Sequence, residues 1–298
     1  MKLNKIPCPI CEQEKKFDIL YKKNFNPSDL NVKIFSARRL PDKIHYRLVK
    51  CKKCGLVRSN PTADIKHLNT LYQKSLMTYN EEVSNLVQTY LNSVKEILNK
   101  LPKDAKILEI GCGNAFVLEA IYKLGYKNVY GIEPSLDAVK KSNSKIRKNI
   151  KINVLKSNLF PKKSFDFIFF FQTFDHIPKP NLFLKECYQL LKANGYIMSY
   201  NHNIDSLSSK ILGEKSPIID IEHTFLYSPR TIRSIFEKHK FNVQKVYSPY
   251  NILSLKHLFW LIPLPLSIKQ RILNSNKDIL NKKIKLQLGN LCLVAQKK

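Results

Sequence analysis

Residues 165–171 read FDFIFFF, seven positions with one polar side chain among them. A strand wetted on one face alternates apolar with polar residues, whereas a strand covered on both faces has no reason to. This run therefore has to lie inside a sheet with a layer on either side. Around it the chain alternates strand-like runs with segments of helical period. AKILEIG, NVYGIE, IKINVL, YIMSY, FNVQKVY and NLCLVAQ are the other six strand candidates. PSLDAVKKSNSKIRK, NLFLKECYQLLKANG (closed by Gly195) and SPRTIRSIFEKHK (capped by Ser228, with Pro229 in the first turn) are helix candidates. Seven strands separated largely by helices predict an α/β fold with a doubly wound, mostly parallel sheet. Ahead of it, residues 81–99 place Val83, Leu86, Val87, Tyr90, Leu91, Val94, Ile97 and Leu98 on one stripe at 3.6 spacing, an amphipathic helix.

Such sheets bind ligands at the carboxyl ends of their strands, where strand order reverses. ILEIGCGNAF, residues 107–116, is a strand, a tight turn and a helix start, so Gly111 and Gly113, with Cys112 between them, sit where backbone approaches a ligand. A dinucleotide fingerprint needs a third glycine at the position of Phe116, and a phosphate loop needs Gly-Lys-Ser/Thr; both are missing. That leaves a nucleoside without a pyrophosphate. Glu133 ends the next strand, twenty residues after Gly113 and just before Pro134, where a carboxylate can accept both ribose hydroxyls. Glu109 lies two residues before the first glycine, where it can hold an amino group. An amino acid at one end and a ribose at the other describes S-adenosylmethionine.

Two C-x-x-C pairs, Cys8/Cys11 and Cys51/Cys54, precede this unit. Two residues between thiolates let both reach one ion from a tight knuckle, and two knuckles complete a tetrahedral, closed and hence structural Zn²⁺ site. Cys112, Cys187 and Cys292 have no partner at ligand spacing and read as buried hydrophobes. The expected division is a zinc-binding lobe over 1–62, a linker and lid helix over 63–102, and the main domain over 103–298 with an insertion at about 250–285. Net charge is +28, yet only eight of the 51 basic residues are Arg, and the charge is spread along the chain. Nucleic-acid recognition favours the planar Arg fork, whereas Lys, Asn and Ile share A/T-rich codons, so the charge by itself does not argue for a nucleic-acid partner. The N-terminus has no apolar signal core and there is no run of about 18 apolar residues, which leads to an expectation of a cytoplasmic protein.

With these residues in view, the chain from about residue 80 onward resembles the class I S-adenosylmethionine-dependent methyltransferases. ILEIGCGNAF is similar to their first motif, VYGIEPS to their second, SFDFIFFFQTFDHI to the segment through their fourth strand, and FLKECYQLLKANGYIMSY to the following helix and strand. The resemblance implies a seven-stranded Rossmann-like sheet. It also implies Glu109, Gly111 and Gly113 on the methionine part, Glu133 on the ribose, Asn158 on the adenine edge, and Gln172 and Thr173 lining the pocket behind the sulfonium. Ala115 replaces the family's third glycine, and Asn158 stands where Asp is commoner. CPIC…CKKCGLVRSNP followed by LNTLYQKSLMTYN resembles methyltransferases of bacterial sugar, surface-polysaccharide and natural-product pathways, with a zinc-ribbon-like N-terminal lobe. That implies a sugar, glycan-precursor or other small-molecule acceptor, with Tyr72 and Tyr79 facing the cofactor from the lid. A competing reading is an RNA methyltransferase using the basic surface and the zinc lobe. Zinc-bearing RNA relatives, however, hold their cysteine pairs much closer than the 39 residues between Cys11 and Cys51.

Methyl transfer needs a base only if the acceptor must lose a proton. His223 ranks first, with Glu222 orienting its ring, because the Glu-His pair resembles one in sugar methyltransferases. His176, just beyond the fourth strand, ranks second, and His202 ends the fifth; no metal-ligand spacing is visible among them. Residues 253–273, LSLKHLFWLIPLPLSIKQRIL, combine an apolar run with cationic flanks, as an element resting on a membrane surface at the inner face would.

Overall fold

A computed structural model describes residues 3–26, 44–75, 83–261, 267, 270–271 and 278–298. Its centre is a seven-stranded sheet made of β1 (Ile107–Ile110), β2 (Val129–Glu133), β3 (Ile150–Ile152), β4 (Phe165–Phe171), β5 (Leu191–His202), β6 (Phe241–Tyr247) and β7 (Asn290–Lys297). The order across the sheet is β3-β2-β1-β4-β5-β7-β6, with β7 antiparallel to both neighbours and the other pairings parallel. β4 supplies both cores. Ile168 and Phe170 pack on one face, with Phe183, Leu184, Ile232 and Phe236 of the helices Pro180–Leu190 and Pro229–Lys238. Phe167, Phe169 and Phe171 pack on the other, with Val94, Ile97 and Leu98 of Val83–Leu98 and with Val117 and Leu118 of Phe116–Lys123. The period of two that carries alternate side chains to opposite faces explains why FDFIFFF is apolar throughout.

The N-terminal lobe is built on a four-stranded antiparallel sheet. Phe17–Tyr21, Leu48–Cys51 and Val57–Ser59 come from the lobe, and the fourth strand, Phe225–Leu226, comes from the chain between β5 and β6. The lobe is also held where Lys238 Nζ donates to the Pro9 carbonyl (2.8 Å) and Asn181 Nδ2 donates to the same oxygen (3.0 Å).

Three local expectations change. Gly195 does not close a helix: the helix ends at Leu190, and Gly195 lies inside β5, beside a register shift between Leu191 and Tyr196. PSLDAVKKSNSKIRK forms two short helices, Leu136–Lys140 and Ser144–Arg147, because Ser135 and Asn143 each cap a new N-terminus. In the insertion, Asn251–Ser254 pairs with Lys283–Leu286 and leads into the helix Leu255–Leu261; most of the suggested membrane-surface segment beyond it lies outside the described residues. Among the described residues, no helix is long and apolar enough to cross a membrane.

Candidate active site

A cavity of about 570 Å³ opens at the carboxyl edge of β1, β2 and β4. That volume suits a nucleoside-sized ligand together with a small second molecule. Its floor is Glu109 to Gly113, Glu133 to Ser135, and Phe171 to Thr173; Leu68, Tyr72, Leu86 and Tyr90 close it from the helices Ile65–Lys74 and Val83–Leu98. β1 and β4 are neighbours whose following segments run to opposite faces, so the crevice between them is where the sheet leaves room.

The turn after β1 uses its glycines for two different reasons. Both have positive φ, +75° at Gly111 and +54° at Gly113. A Cβ on Gly111 would stand 2.4 Å from Thr173 Oγ1, so this glycine lets the turn pack against β4's end. A Cβ on Gly113 would meet nothing within 4 Å, because that amide borders the open cavity. Ala115 takes the left-handed conformation (φ +61°) as the residue before the helix, where a small side chain is the least costly non-glycine choice. Glu133 fastens the loop: its carboxylate accepts from Gly113 N and from Ser135 N, both at 2.9 Å. Burial raises its pKa, against the pull of those two amides.

Glu109 is 3 % exposed and its Oε2 has no hydrogen-bond partner. Burial, and then the neighbouring charge of Glu133, hold its carboxyl well above the ordinary carboxylate value. Cys112, Pro134, Gln172 and Thr173 also line the cavity. Gln172 Nε2 donates to Asn290 Oδ1 (3.2 Å), and its Oε1 is buried without a partner.

Asn158 is not part of this cavity. β3 ends at Ile152, so Asn153, Val154 and Leu155 are the residues that reach the edge beside β2. Asn158, further along, lines a separate small hollow with Lys185 and Glu186 of the Pro180–Leu190 helix. Tyr79 lies outside the described residues, whereas Tyr72 does line the cavity.

The far end of the cavity gathers His176, His202, Asp220, Glu222 and His223. His223 ring orientation is set by the Ile218 carbonyl, 2.7 Å from Nδ1, rather than by Glu222, which lines the cavity beside it. Nε2 of His223 faces Asp175 Oδ2 at 3.9 Å, and Nε2 of His176 faces Asp175 Oδ1 at 3.7 Å. The His223 ring centroid lies 4.9 Å from that of His176 and 4.8 Å from that of His202. Burial first, and the neighbouring His223 second, push His176 well below the ordinary histidine value and His202 to about 3, so both rings are neutral at physiological pH. The absence of metal-ligand spacing among the histidines does not carry over to space: one ligating atom each from Asp175, His176 and His223 lie within 4.8 Å of one another. Sequence reasoning passes over Asp175. Its signal is an acidic residue directly before His176, in a segment otherwise leading out of an apolar strand.

In the lobe, Cys8 Sγ lies 3.4 Å from Cys54 Sγ, Cys11 Sγ 3.4 Å from Cys51 Sγ, and Cys11 Sγ 3.9 Å from Cys54 Sγ. Four sulfurs about 2.3 Å from one tetrahedral ion would stand about 3.8 Å apart. All four are free thiols, and both knuckles are closed by backbone hydrogen bonds, Glu12 N to Cys8 O (2.8 Å) and Gly55 N to Cys51 O (2.9 Å).

The buried Glu109 generates a pH-dependent expectation. A carboxyl whose folded value is raised above 4.5 contributes full stability below that pH and loses it as pH climbs through the folded value. Glu109→Gln removes the ionisation. In the ligand-free protein it should raise the melting temperature at pH 7–8, equivalent to at most about 1.4 kcal/mol for each pH unit over which wild-type Glu109 stays protonated, and change it little near pH 4.5. Calorimetry over that range checks this; superimposable pH profiles would show that Glu109 ionises freely.

Residues 79–246, more than half of the chain, match the family model described as a methyltransferase domain. The ubiquinone biosynthesis O-methyltransferase of Pelagibacter ubique is 28% identical over 155 residues, covering 48% of this chain and 64% of that protein. The human EEF1A lysine methyltransferase 2 is 31% identical over 104 residues, 30% of this chain and 42% of that protein. The chain thus spans less than two thirds of the length of these curated relatives. Among solved structures, a chain from Galdieria sulphuraria assigned as a sarcosine dimethylglycine methyltransferase superposes with a TM-score of 0.51 at 14% identity, covering 74% of this chain and 92% of that one. Sheet order, glycine turn and family match agree: the chain belongs to the methyltransferase domain family, and its architecture is that of an S-adenosylmethionine-dependent methyltransferase.

Proposed function

We propose that the chain transfers a methyl group from S-adenosylmethionine to a hydroxylated small molecule, a sugar or a glycan- or lipid-linked precursor, by O- or C-methylation. The observation that carries this reading is the division of one cavity into two chemically different ends. One end has the glycine turn, the unpartnered Glu109 Oε2 and Glu133; the other has the histidines with Asp220 and Glu222, backed by the buried Asp175. The first end fits the cofactor. Glu109 would take the methionine ammonium, Gly113 borders open space against which the methionine part can lie, and Glu133 keeps lone pairs for the ribose beyond those given to Gly113 and Ser135. Bound there, the cofactor supplies a carbon already activated by sulfonium. Tyr72, Tyr90 and Phe171 line the same cavity and would limit the water around a transferred methyl. The acceptor's proton leaves toward the Asp175, His176 and His223 cluster. No Lys or Arg is among the described residues that line the cavity, which argues against the RNA reading despite the charge of +28. The relatives acting on small molecules by name, the ubiquinone O-methyltransferase and the sarcosine dimethylglycine methyltransferase, are consistent with an enclosed acceptor site.

Glu133→Ala would also orphan the Gly113 amide, so Glu133→Gln is the cleaner test. It loses the charge and one of the two acceptor oxygens, so one of the Gly113 and Ser135 amides loses its partner whereas Ala would orphan both, and the bonds that remain fall from about 1.5–3 kcal/mol to about 0.5–1.5. Calorimetry should show S-adenosylmethionine binding weakened by roughly tenfold; unchanged affinity would remove Glu133 from the ribose.

His223→Asn should lower turnover on a hydroxyl acceptor by about 10²–10⁴-fold with cofactor affinity unchanged. Near-equal rates would return His223 to a structural role and leave proximity to do the catalysis.

Cys8, Cys11, Cys51 and Cys54 would hold one structural Zn²⁺. Elemental analysis should find close to one zinc per chain, and Cys51→Ser should release it and lower the stability of the lobe, since the binding energy of such a site is folding energy. Metal-free protein with an undiminished melting transition would remove the zinc from the account.

A further inference from the structure

We propose that Asp175, His176 and His223 form a second metal site, open to the cavity, that binds a divalent transition-metal cation at the acceptor end. Asp175 is 1 % exposed, and neither of its carboxylate oxygens has a hydrogen-bond partner. An uncompensated carboxylate at such depth is costly, and what faces it is a pair of imidazole nitrogens. Those contacts, 3.7 Å from Oδ1 to His176 Nε2 and 3.9 Å from Oδ2 to His223 Nε2, are too long for hydrogen bonds and present both carboxylate oxygens to the space between the rings. They are the right length for ligands of a common ion. Two donors about 2.1 Å from one cation stand about 3.0 Å apart at a right angle and about 4.2 Å apart when opposed. All three ligating atoms lie within 4.8 Å of one another, so an ion would need to draw the widest pair together only slightly.

The far side of each ring supports the same assignment. His223 Nδ1 donates to the Ile218 carbonyl at 2.7 Å, which leaves the Nε2 lone pair directed at Asp175. His176 Nδ1 is engaged by Tyr72 Oη at 3.1 Å, and with the ring as donor its Nε2 is likewise free to ligate. A ligating histidine whose other nitrogen is tied to a carbonyl or hydroxyl is the usual outer arrangement of a metal site. The backbone is held too: Thr224 N donates to the Asp175 carbonyl at 2.9 Å, and Ser59 Oγ to the His223 carbonyl at 3.0 Å.

Two imidazoles and one carboxylate suit Zn²⁺, Co²⁺, Fe²⁺ or Mn²⁺ rather than a soft ion. Three protein ligands leave positions for another donor, in contrast to the closed cysteine quartet. Because His176 and His223 line the cavity, that donor comes from the cavity side. The inference rests on the proposed function only in taking this end as the acceptor's place. An acceptor hydroxyl or enol oxygen completing the shell would have its pKa lowered by the ion and would release its proton to water or to the Asp220 or Glu222 carboxylate lining the cavity, with Asp175, His176 and His223 then acting as ligands. The acceptor class is narrowed to molecules presenting such an oxygen.

The probe is Co²⁺, titrated into the full chain carrying zinc in its cysteine site, and followed by visible absorbance and calorimetry. One Co²⁺ per chain should bind with the weak ligand-field bands of nitrogen and oxygen donors and without a thiolate charge-transfer band. Asp175→Asn and His223→Ala should each weaken that binding at least about tenfold, the loss that even an outer partner's removal causes, while Cys51→Ser should retain it. Asp175→Asn is isosteric, and the melting transition and S-adenosylmethionine affinity of the metal-free variant report that the fold is intact. Absence of a nitrogen–oxygen Co²⁺ signal in wild type, or equal binding in Asp175→Asn, would overturn the site. Because the readout is binding, the two readings separate: methylation without a bound cation sinks the metal site alone, and a bound cation without methylation sinks the proposed function alone.

Discussion

Burial of β4 on both faces is the constraint from which the rest of the architecture follows. Phe167, Phe169 and Phe171 need one layer of helices, and Ile168 and Phe170 need another. Each residue of the pair of cores removes apolar surface from water at roughly 25 cal/mol per Å², and no single-layer arrangement serves both sets. Once helices must lie on both sides, successive connections run to opposite faces about β1 and β4, and their carboxyl ends part. The cavity is the space that parting leaves. Its polar residues Glu109, Thr173 and His176 sit at or just past the ends of these two deeply buried strands, where rigid backbone holds them in place.

The N-terminal lobe is tied to this edge through a backbone ladder. Its sheet is completed by Phe225–Leu226, two residues after His223, and Ser59 reaches both Thr224 O and His223 O. The cysteine quartet steadies Leu48–Cys51, which pairs with Val57–Ser59, which pairs with the strand after His223. A structural ion in the lobe would thus act on the histidine end of the cavity by holding a strand in register. A division of the chain at residue 62 describes the sequence better than it describes the hydrogen bonds.

Much of the fold is legible in the sequence because it rests on local periodicity. An apolar run without alternation, a 3.6 stripe over Val83–Leu98 and a glycine turn after a strand are each properties of a few neighbouring residues. The glycine-turn end of the cavity is legible for the same reason: Glu109, Gly111, Gly113 and Glu133 stand at fixed distances from strand ends, and the cavity brings them together. Gly195 misleads because glycine commonly stops a helix, whereas here it allows close approach, a Cβ there standing 3.0 Å from the Lys192 carbonyl and 3.2 Å from the Phe165 carbonyl. Asn158, placed on the adenine edge by resemblance, lines a separate hollow because the strand IKINVL ends at Ile152 and the residues that then reach the cavity are Asn153, Val154 and Leu155.

The sequence by itself determined the strands, the two glycines and each cysteine knuckle, because these depend on residues within a turn or a strand of one another; the meeting of the two knuckles, 39 residues apart, belongs to the tertiary structure. Only the tertiary structure decided what Asp175 is. It is next to His176 in sequence but 48 positions from His223, and His223 meets it where the following strand is captured by the N-terminal sheet. It also decided that Ile218 rather than Glu222 orients His223, since a hydrogen bond to a carbonyl depends on where the chain folds back and leaves no mark in residue type. Local preference is encoded in neighbours; the meeting of distant side chains is a consequence of how the cores close.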